Sequence, residues 1–441
     1  MTYDIAVIGA GPAGLAAAAR AAGAGCRVVV LDAGPRPGGQ YWRHRAGSAP
    51  ADRRFRALAG ALDRVDYRAE ASVWFAEPGF TLHTGAGEVS AERLVLATGA
   101  HDRVVPFPGW DLPGVTTAGG AQALLKGHGV LTGRRIAVAG TGPFLLPVAA
   151  GLAAAGARIA GVFEAGNPLR VLRRPVPAAK LAEVAGYAAR FARHRIRYRT
   201  GHVVVAAHGD VEVSAVTVAG RDGHTRRVRC DALAVGYGFV PALELPTLLG
   251  CAVCLDTDGN LVTAVDHTQQ TSVPGVFAAG EVTGVGGADL ALAEGAIAGA
   301  AAAASLGGRT PDDAVPAGPA GRRARLRRFA ATLHAAHPVP AGWPDRLTAD
   351  TVVCRCEEVP LRAVRAAVTE LGATDARTVK SLTRAGMGWC QGRICGYPVA
   401  CLAARLNGRP VAESDLDTFA RRPIGSAITL GQLAEGDRTT P

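Results

Sequence analysis

Lysine is nearly missing from this 441-residue chain, occurring only at Lys126, Lys180 and Lys380. The formal net charge of +11 therefore rests on arginine, and the arginines are scattered rather than grouped. Aromatic residues make up only 5%. A nucleic-acid surface needs a basic stripe with aromatic platforms for the bases, so no nucleic-acid partner is expected. Cysteine is sparse too, nine in all, which excludes a disulfide-stapled secreted scaffold. Unbroken apolar runs of membrane-spanning length are also absent. The stretch 144–163 is interrupted by Pro147 and Arg158, and 288–306 by Asp289 and Glu294. Both read as helix-bearing parts of α/β units, and no transmembrane segment is expected. The chain enters a strand at Tyr3, so no signal peptide is expected and the expected location is the cytoplasm. Apolar content of 49% over this length supports several domains with large cores.

What the chain does have is cysteine in two pairs. Cys354-Arg-Cys356 closes an apolar run, and Cys390-Gln-Gly-Arg-Ile-Cys395 lies in a glycine-rich loop, with 33 residues between the pairs. Thiolates grouped in this way are ligands for zinc or for an iron–sulfur cluster. The plain alternative is four cysteines packed as small hydrophobes. Glycines around the second pair allow backbone N–H groups to approach a cluster closely. Cys251 and Cys254 form another pair, but in a strand-like run rather than at a helix N-terminus that would activate a thiol. They are expected to pack, as are Cys26, Cys230 and Cys401.

The start of the chain is a nucleotide-binding pattern. Residues 3–8 read as a buried strand, Gly9-Ala10-Gly11-Pro12-Ala13-Gly14 opens an alanine-rich helix, and a second strand over 27–31 ends at Asp32. This is G-x-G-x-x-G in the strand–turn–helix context that gives it meaning. Gly9 makes the turn, Gly11 admits a pyrophosphate, Gly14 lets helix and strand touch, and Asp32 accepts from ribose hydroxyls. Two later strands end in Ala97-Thr98-Gly99 and in Gly280-Glu281. With Gly39 and Gln40 in a Pro-Gly-Gly-Gln loop, they resemble the landmarks of the flavoprotein fold of glutathione and thioredoxin reductases. That resemblance implies FAD, with the acid of the later landmark on the ribityl chain. The family usually has aspartate where this chain has Glu281.

A second unit of the same kind lies between these landmarks. Residues 135–139 read as a strand, Gly140-Thr141-Gly142 as the turn, and 158–163 as a strand ending at Glu164. The third glycine is replaced by Leu145, which is expected to push the helix off the strand and to fill nucleotide space. Glu164 disfavours a 2′-phosphate, so the site holds NAD, another adenine nucleotide or nothing. The expected division is a FAD domain over 1–117 and 234–306, an inserted NAD-like domain over 118–233, a linker over 307–349, a small helical [2Fe–2S] domain over 350–410 and a polar tail over 411–441. The fold class is α/β, a two-dinucleotide-binding flavoprotein with a C-terminal cluster domain.

The whole chain resembles the FAD- and [2Fe–2S]-containing large subunit of heteromeric opine oxidases, proline and hydroxyproline dehydrogenases and hydrogen cyanide synthase. The resemblance rests on Ala97-Thr-Gly-Ala-His-Asp-Arg103, Pro106-Phe-Pro-Gly-Trp-Asp-Leu-Pro-Gly-Val115, Gly140-Thr-Gly-Pro-Phe-Leu-Leu-Pro-Val148, Gly236-Tyr-Gly-Phe-Val240 and the cysteine pairs. The late domain is similar to bacterioferritin-associated ferredoxin, although that protein closes with C-x-x-C. The longer Cys390–Cys395 spacing looks like the cluster domain of some flavin-linked glycerol phosphate dehydrogenases. The resemblance implies an electron-transfer role with no catalytic acid or base in this chain. An amino-acid-oxidase-like FAD subunit would oxidise the amine, with FMN at the subunit interface in some members. It also allows a small third subunit, and a quinone or another carrier would be the acceptor. The competing readings are a stand-alone NADH-dependent reductase and a zinc-stabilised nucleotide-binding scaffold.

Overall fold

Strand β1 (Thr2–Ile8), from Ile5 onward, and β2 (Val28–Leu31) carry continuous apolar residues, as strands covered on both faces do. Helix α1 (Pro12–Gly23) joins them, with proline at a first-turn position where its missing N–H breaks no helical bond. Strand β3 (Gly87–Leu96) pairs in parallel with β1. The resulting seven-stranded sheet runs Asp66–Arg68, β2, β1, β3, Thr81–Thr84, Val73–Ala76, and Val276–Ala278 also pairs in parallel with β3. The computed structural model describes residues 2–173 and 176–437. Residues 174–175 of the expected NAD-like domain and 438–441 of the expected tail lie outside them.

The chain forms two compact units, Met1–Ala100 with Val240–Ala330 and Ala420–Pro441, and His101–Phe239 with Ala331–Phe419. In the first, the Ala288–Leu306 helix lies backbone to backbone on α1. A Cβ at Gly295 would stand 2.0 Å from the Ala13 carbonyl oxygen, and one at Gly299 would stand 2.3 Å from that of Ala17. Among the described residues this is the one helix long and apolar enough to cross a membrane, and 61% of its apolar window is buried inside the fold. The stretch 307–349, expected as a linker, contains a 20-residue helix, Ala317–Ala336. Its Leu326 and Ala330 are buried, and its Arg327 reaches the fully buried Glu294 at 2.6 Å. Those contacts give the stretch a folded role that its charge and prolines hide.

In the second unit, β4 (Arg135–Gly140), α2 (Leu145–Ala154) and β5 (Arg158–Glu164) form the second strand–helix–strand. The parallel sheet runs Tyr198–Thr200, β5, β4, β6 (Ala232–Gly236), Val115–Thr117. A three-stranded antiparallel sheet, Val203–His208, Ala215–Ala219 and Thr225–Arg229, accompanies it. The cysteine-bearing segment follows as a short hairpin and the helices Leu361–Thr369, Ala376–Thr383 and Gly396–Leu406. It shares one apolar core with the antiparallel sheet: Val204, Val216 and Val218 cluster with Val353, Leu361, Val364 and Val399. Trp110 Nε1 donates to the Val352 carbonyl at 2.6 Å. The expected polar tail also begins as structure. The Glu413–Ala420 helix buries Asp415 and Phe419, and Asp415 accepts from Arg409, Ala412 N–H and Ala376 N–H.

Candidate functional site

The first fingerprint is built by close backbone approach. A Cβ at Gly14 would lie 1.8 Å from the Gly9 carbonyl oxygen, so only glycine lets α1 sit on the turn. Gly39 has φ +56°, and its Cβ would lie 2.9 Å from Gly11 Cα. The Pro-Gly-Gly-Gln loop and the fingerprint thus border one cradle that side chains would fill, with Gln40 exposed beside it. Asp32, 8% exposed, accepts from Ala10 N–H through one oxygen and from Gly34 N–H at 2.6 Å through the other. Burial raises its carboxyl above the usual range, opposed by those two N–H groups. A carboxylate has roughly four lone-pair positions. Two of them are engaged here, which leaves two for ribose hydroxyls.

The later landmarks join this unit through the backbone. Ala97 N–H donates to the Ile8 carbonyl at 2.9 Å, and Ala242 N–H to the Gly99 carbonyl at 3.0 Å. Thr98 Oγ1 donates to the Ala242 carbonyl at 2.9 Å. Gly280 N–H donates to Glu294 Oε2 at 3.0 Å, as does Thr283 Oγ1. Glu294 and Arg327 therefore hold the turn that presents Glu281, a role that sequence reading missed. Their spacing offers no local signal, since they are 33 residues apart. Glu281 Oε1 accepts from Gly287 N–H at 2.8 Å, and burial raises its carboxyl. The glycine cradle and the half-engaged Asp32 fit a dinucleotide such as FAD.

The four paired cysteines come together in space. Cys354 and Cys395 are buried, Cys390 is partly buried and Cys356 is exposed. Cys395 meets the side chains of Cys354 and Cys390, and Cys356 meets that of Cys390. The Cys395 thiol and the N–H groups of Gly386, Glu357 and Cys356 bring Cys354 down to about 6. Cys395 and the N–H groups of Ile394 and Gly392 help bring Cys390 down to about 5. The same contacts push Cys395 up. Among the described residues no three His, Cys, Asp or Glu side chains are arranged as a single-ion site. Four soft donors in two pairs, ringed by N–H groups, fit a dinuclear iron–sulfur centre, where each iron takes two thiolates.

The loop around these ligands rests on Phe419, which sequence reading left in the tail. A Cβ at Gly386, Gly392 or Gly396 would stand 2.6, 2.8 or 2.9 Å from its ring or Cβ. Cys395 caps the Gly396–Leu406 helix, so the positive helix end faces the ligand set. Cys251 is buried, with Sγ 3.5 Å from Thr271 Oγ1, and Cys254 is exposed.

The second fingerprint departs from the first. Leu145 is 1% exposed and packs in the core with Val138, Val148 and Leu152. Its helix begins five residues after Gly140, whereas α1 begins three residues after Gly9. Glu164 is fully buried. Its oxygens accept from Thr141 Oγ1 at 3.1 Å, Gly142 N–H at 3.0 Å, Gly166 N–H at 2.8 Å and Tyr198 Oη at 3.5 Å. His337 Nδ1 stands 3.4 Å away. The acid that would take a ribose is saturated by its own chain, so these residues do not fit NAD held as the first unit holds its dinucleotide.

Residues 3–306 match the pyridine nucleotide-disulphide oxidoreductase family, and residues 352–404 match the BFD-like [2Fe-2S] binding domain. The chain is 33% identical to an opine oxidase subunit of Agrobacterium tumefaciens, covering 98% of this chain and 91% of that one. It is 36% identical to the HcnB subunit of hydrogen cyanide synthase from Pseudomonas aeruginosa, covering 89% and 90%. In fold it is similar to L-proline dehydrogenase from P. horikoshii, with a TM-score of 0.71 at 23% identity, covering 98% of this chain and 79% of that one. These matches bear out the α/β flavoprotein fold with a C-terminal cluster domain, the cofactors FAD and [2Fe–2S] that the two family models imply, and the expected resemblance.

Proposed function

Because this chain belongs to the pyridine nucleotide-disulphide oxidoreductase family, in the branch that carries a BFD-like [2Fe-2S] domain and includes opine oxidase subunits, we propose that it is the electron-transfer subunit of a heteromeric dehydrogenase. The substrate class is an amine or imino acid of opine, proline or hydroxyproline type. An amino-acid-oxidase-like FAD subunit oxidises it, in an assembly that leaves room for FMN at the interface and for a small third subunit. A quinone or another carrier takes the electrons. FAD accepts electrons in pairs and a [2Fe–2S] centre passes them singly, which is the chemistry the two groups supply when bound.

The residues of this chain hold and orient those groups. Gly9, Gly11, Pro12, Ala13 and Gly14 form the pyrophosphate turn, and Asp32 keeps two acceptor positions for ribose. Ala97, Thr98 and Gly99, with Gly39 and Gln40, line the flavin side. Gly280 and Glu281 form the ribityl end, held by Glu294. Cys354, Cys356, Cys390 and Cys395 are the cluster ligands. No side chain here is assigned as acid or base.

The observation that carries the reading is the saturated Glu164. A chain with one open dinucleotide site, one closed one and a one-electron centre suits electrons delivered by a partner rather than by NADH. An anaerobic visible spectrum of the purified chain tests it. Flavin and iron–sulfur bands that dithionite bleaches and NADH does not are the expected result. Bleaching by NADH within seconds makes the chain a reductase in its own right, despite Leu145. Cys390→Ser should remove the iron–sulfur bands and leave flavin bound, since the ligand and the flavin fingerprint lie in different compact units.

A further inference from the structure

Trp389, next to the ligand Cys390, is 84% exposed; Met387, two residues before it, is 36% exposed and Leu382, on the preceding helix, 46%. An apolar residue of this size in water would be ordinary on a mobile tip, but this loop is fixed. Gln391 N–H donates to the Gly388 carbonyl at 2.7 Å, and Gln391 Nε2 to the Met387 carbonyl at 3.1 Å. Gly388 is held so close that a Cβ there would stand 2.5 Å from Cys356 Cβ. Phe419 supports the loop from beneath through Gly386 and Gly392. A tryptophan carried on a braced backbone has the character of an interface anchor, because only its side-chain torsions are left to be ordered when it is covered.

The charge around it is positive in excess. Residues 376–396 contain Arg377, Lys380, Arg384 and Arg393 and no aspartate or glutamate. On the facing hairpin, Glu357 is tied to Arg384 at 2.8 Å, Glu358 is exposed, and Arg355 adds another cation. Of the four ligand thiols, that of Cys356, on the same hairpin, is the exposed one.

We propose that the Trp389 loop is the docking point for an acidic one-electron carrier protein, which covers the tryptophan and sets its own redox centre beside Cys356 and Cys390. The proposal rests on the relay reading above. Complementary charge steers the approach and the buried aromatic holds the complex. A lipid surface is disfavoured, because three exposed apolar residues do not make the long apolar face of an interfacial helix.

The test is binding, measured by calorimetry on the full chain carrying flavin and cluster. A plant-type ferredoxin serves as the acidic probe and mitochondrial cytochrome c as a basic one. Ferredoxin should bind, with affinity falling on the order of tenfold as salt is raised, and cytochrome c should not. Trp389→Ala should weaken ferredoxin binding about tenfold or more, and Arg377→Glu about fivefold, with both variants keeping wild-type iron–sulfur bands. Equal binding of both carriers, or ferredoxin binding unchanged by either substitution, overturns the site. So does loss of binding to phosphatidylglycerol vesicles in Trp389→Ala with ferredoxin binding intact, which would make lipid the occupant. Iron–sulfur bands missing from the wild-type chain would overturn the relay reading and the docking site together. Bands present with unaltered binding overturn the docking site alone.

Discussion

The two glycine-rich turns of this chain follow one plan and end in different states. In the first, Gly14 brings α1 down onto the turn and Asp32 engages two N–H groups. In the second, Leu145 starts the helix two residues later, and Glu164 takes a hydroxyl, two N–H groups and a tyrosine. Each acid holds its loop through the N–H two residues on, Gly34 in one case and Gly166 in the other. The lesson concerns capacity rather than motif. A carboxylate in the ribose position recognises a nucleotide only with the lone pairs that its own protein leaves open.

The strongest way to break the comparison is to close the open site. Gly14→Val should abolish flavin binding, because a Cβ there meets the Gly9 carbonyl oxygen at 1.8 Å; flavin content of the purified variant measures it. The converse substitution, Leu145→Gly, should fail to open the closed site. It removes a buried leucine and places glycine in a helix, costing about 4 kcal/mol of stability, while NADH still leaves the flavin unbleached because Glu164 remains saturated. Thermal melting followed by the NADH test separates the two effects.

Arg327→Met sharpens the comparison from outside the fingerprint. It removes the closer of the two cations of the fully buried Glu294, leaving Arg323 at 3.6 Å, and should cost about 2 kcal/mol, with flavin released at lower temperature than in the wild type. The smallest effect belongs to Asp32→Asn, which should weaken FAD about tenfold through one charge-assisted hydrogen bond of about 1.5 kcal/mol. It should also alter the pH dependence of the flavin-free chain. Burial raises the folded Asp32 above its usual 3.8, so the wild type keeps this contribution fully below pH 3.8 and loses it as pH rises through the raised value. The amide variant should lack that decline, and melting temperatures across the acid range would show it.

The features legible in the sequence were those fixed by short spacing. Strand, turn and helix around Gly9 to Gly14 are local, and so is each cysteine pair. Leu145 was legible as a departure, but its outcome was not. It sits in the core between sheet and helix, and the obstacle to NAD lies as much in Thr141, Gly142, Gly166 and Tyr198 converging on Glu164. Long-range partners were the hidden part. Arg327 looked like part of a solvated connector because nothing near it in sequence is its partner. Phe419 looked like tail because the glycines it supports lie 23 to 33 residues earlier. The shared core of Val353, Leu361 and Val364 with Val204 and Val216 is equally invisible to periodicity, which reports a buried face but not what buries it.

The way the chain weaves between its units sets an order of events during synthesis. The flavin-binding unit draws on three stretches, and the last follows every cluster ligand in sequence. Gly425 N–H donates to the Trp74 carbonyl at 2.6 Å, and Thr247 Oγ1 to the Ala420 carbonyl at 3.1 Å. A ribosome that has just released Cys395 has therefore delivered all four ligands but not the Phe419 support or the final stretch of the flavin unit. Domains usually fold as they emerge, N-terminal first. Here the N-terminal unit is completed last, and the cluster-bearing segment is the piece that can finish while its neighbour still waits.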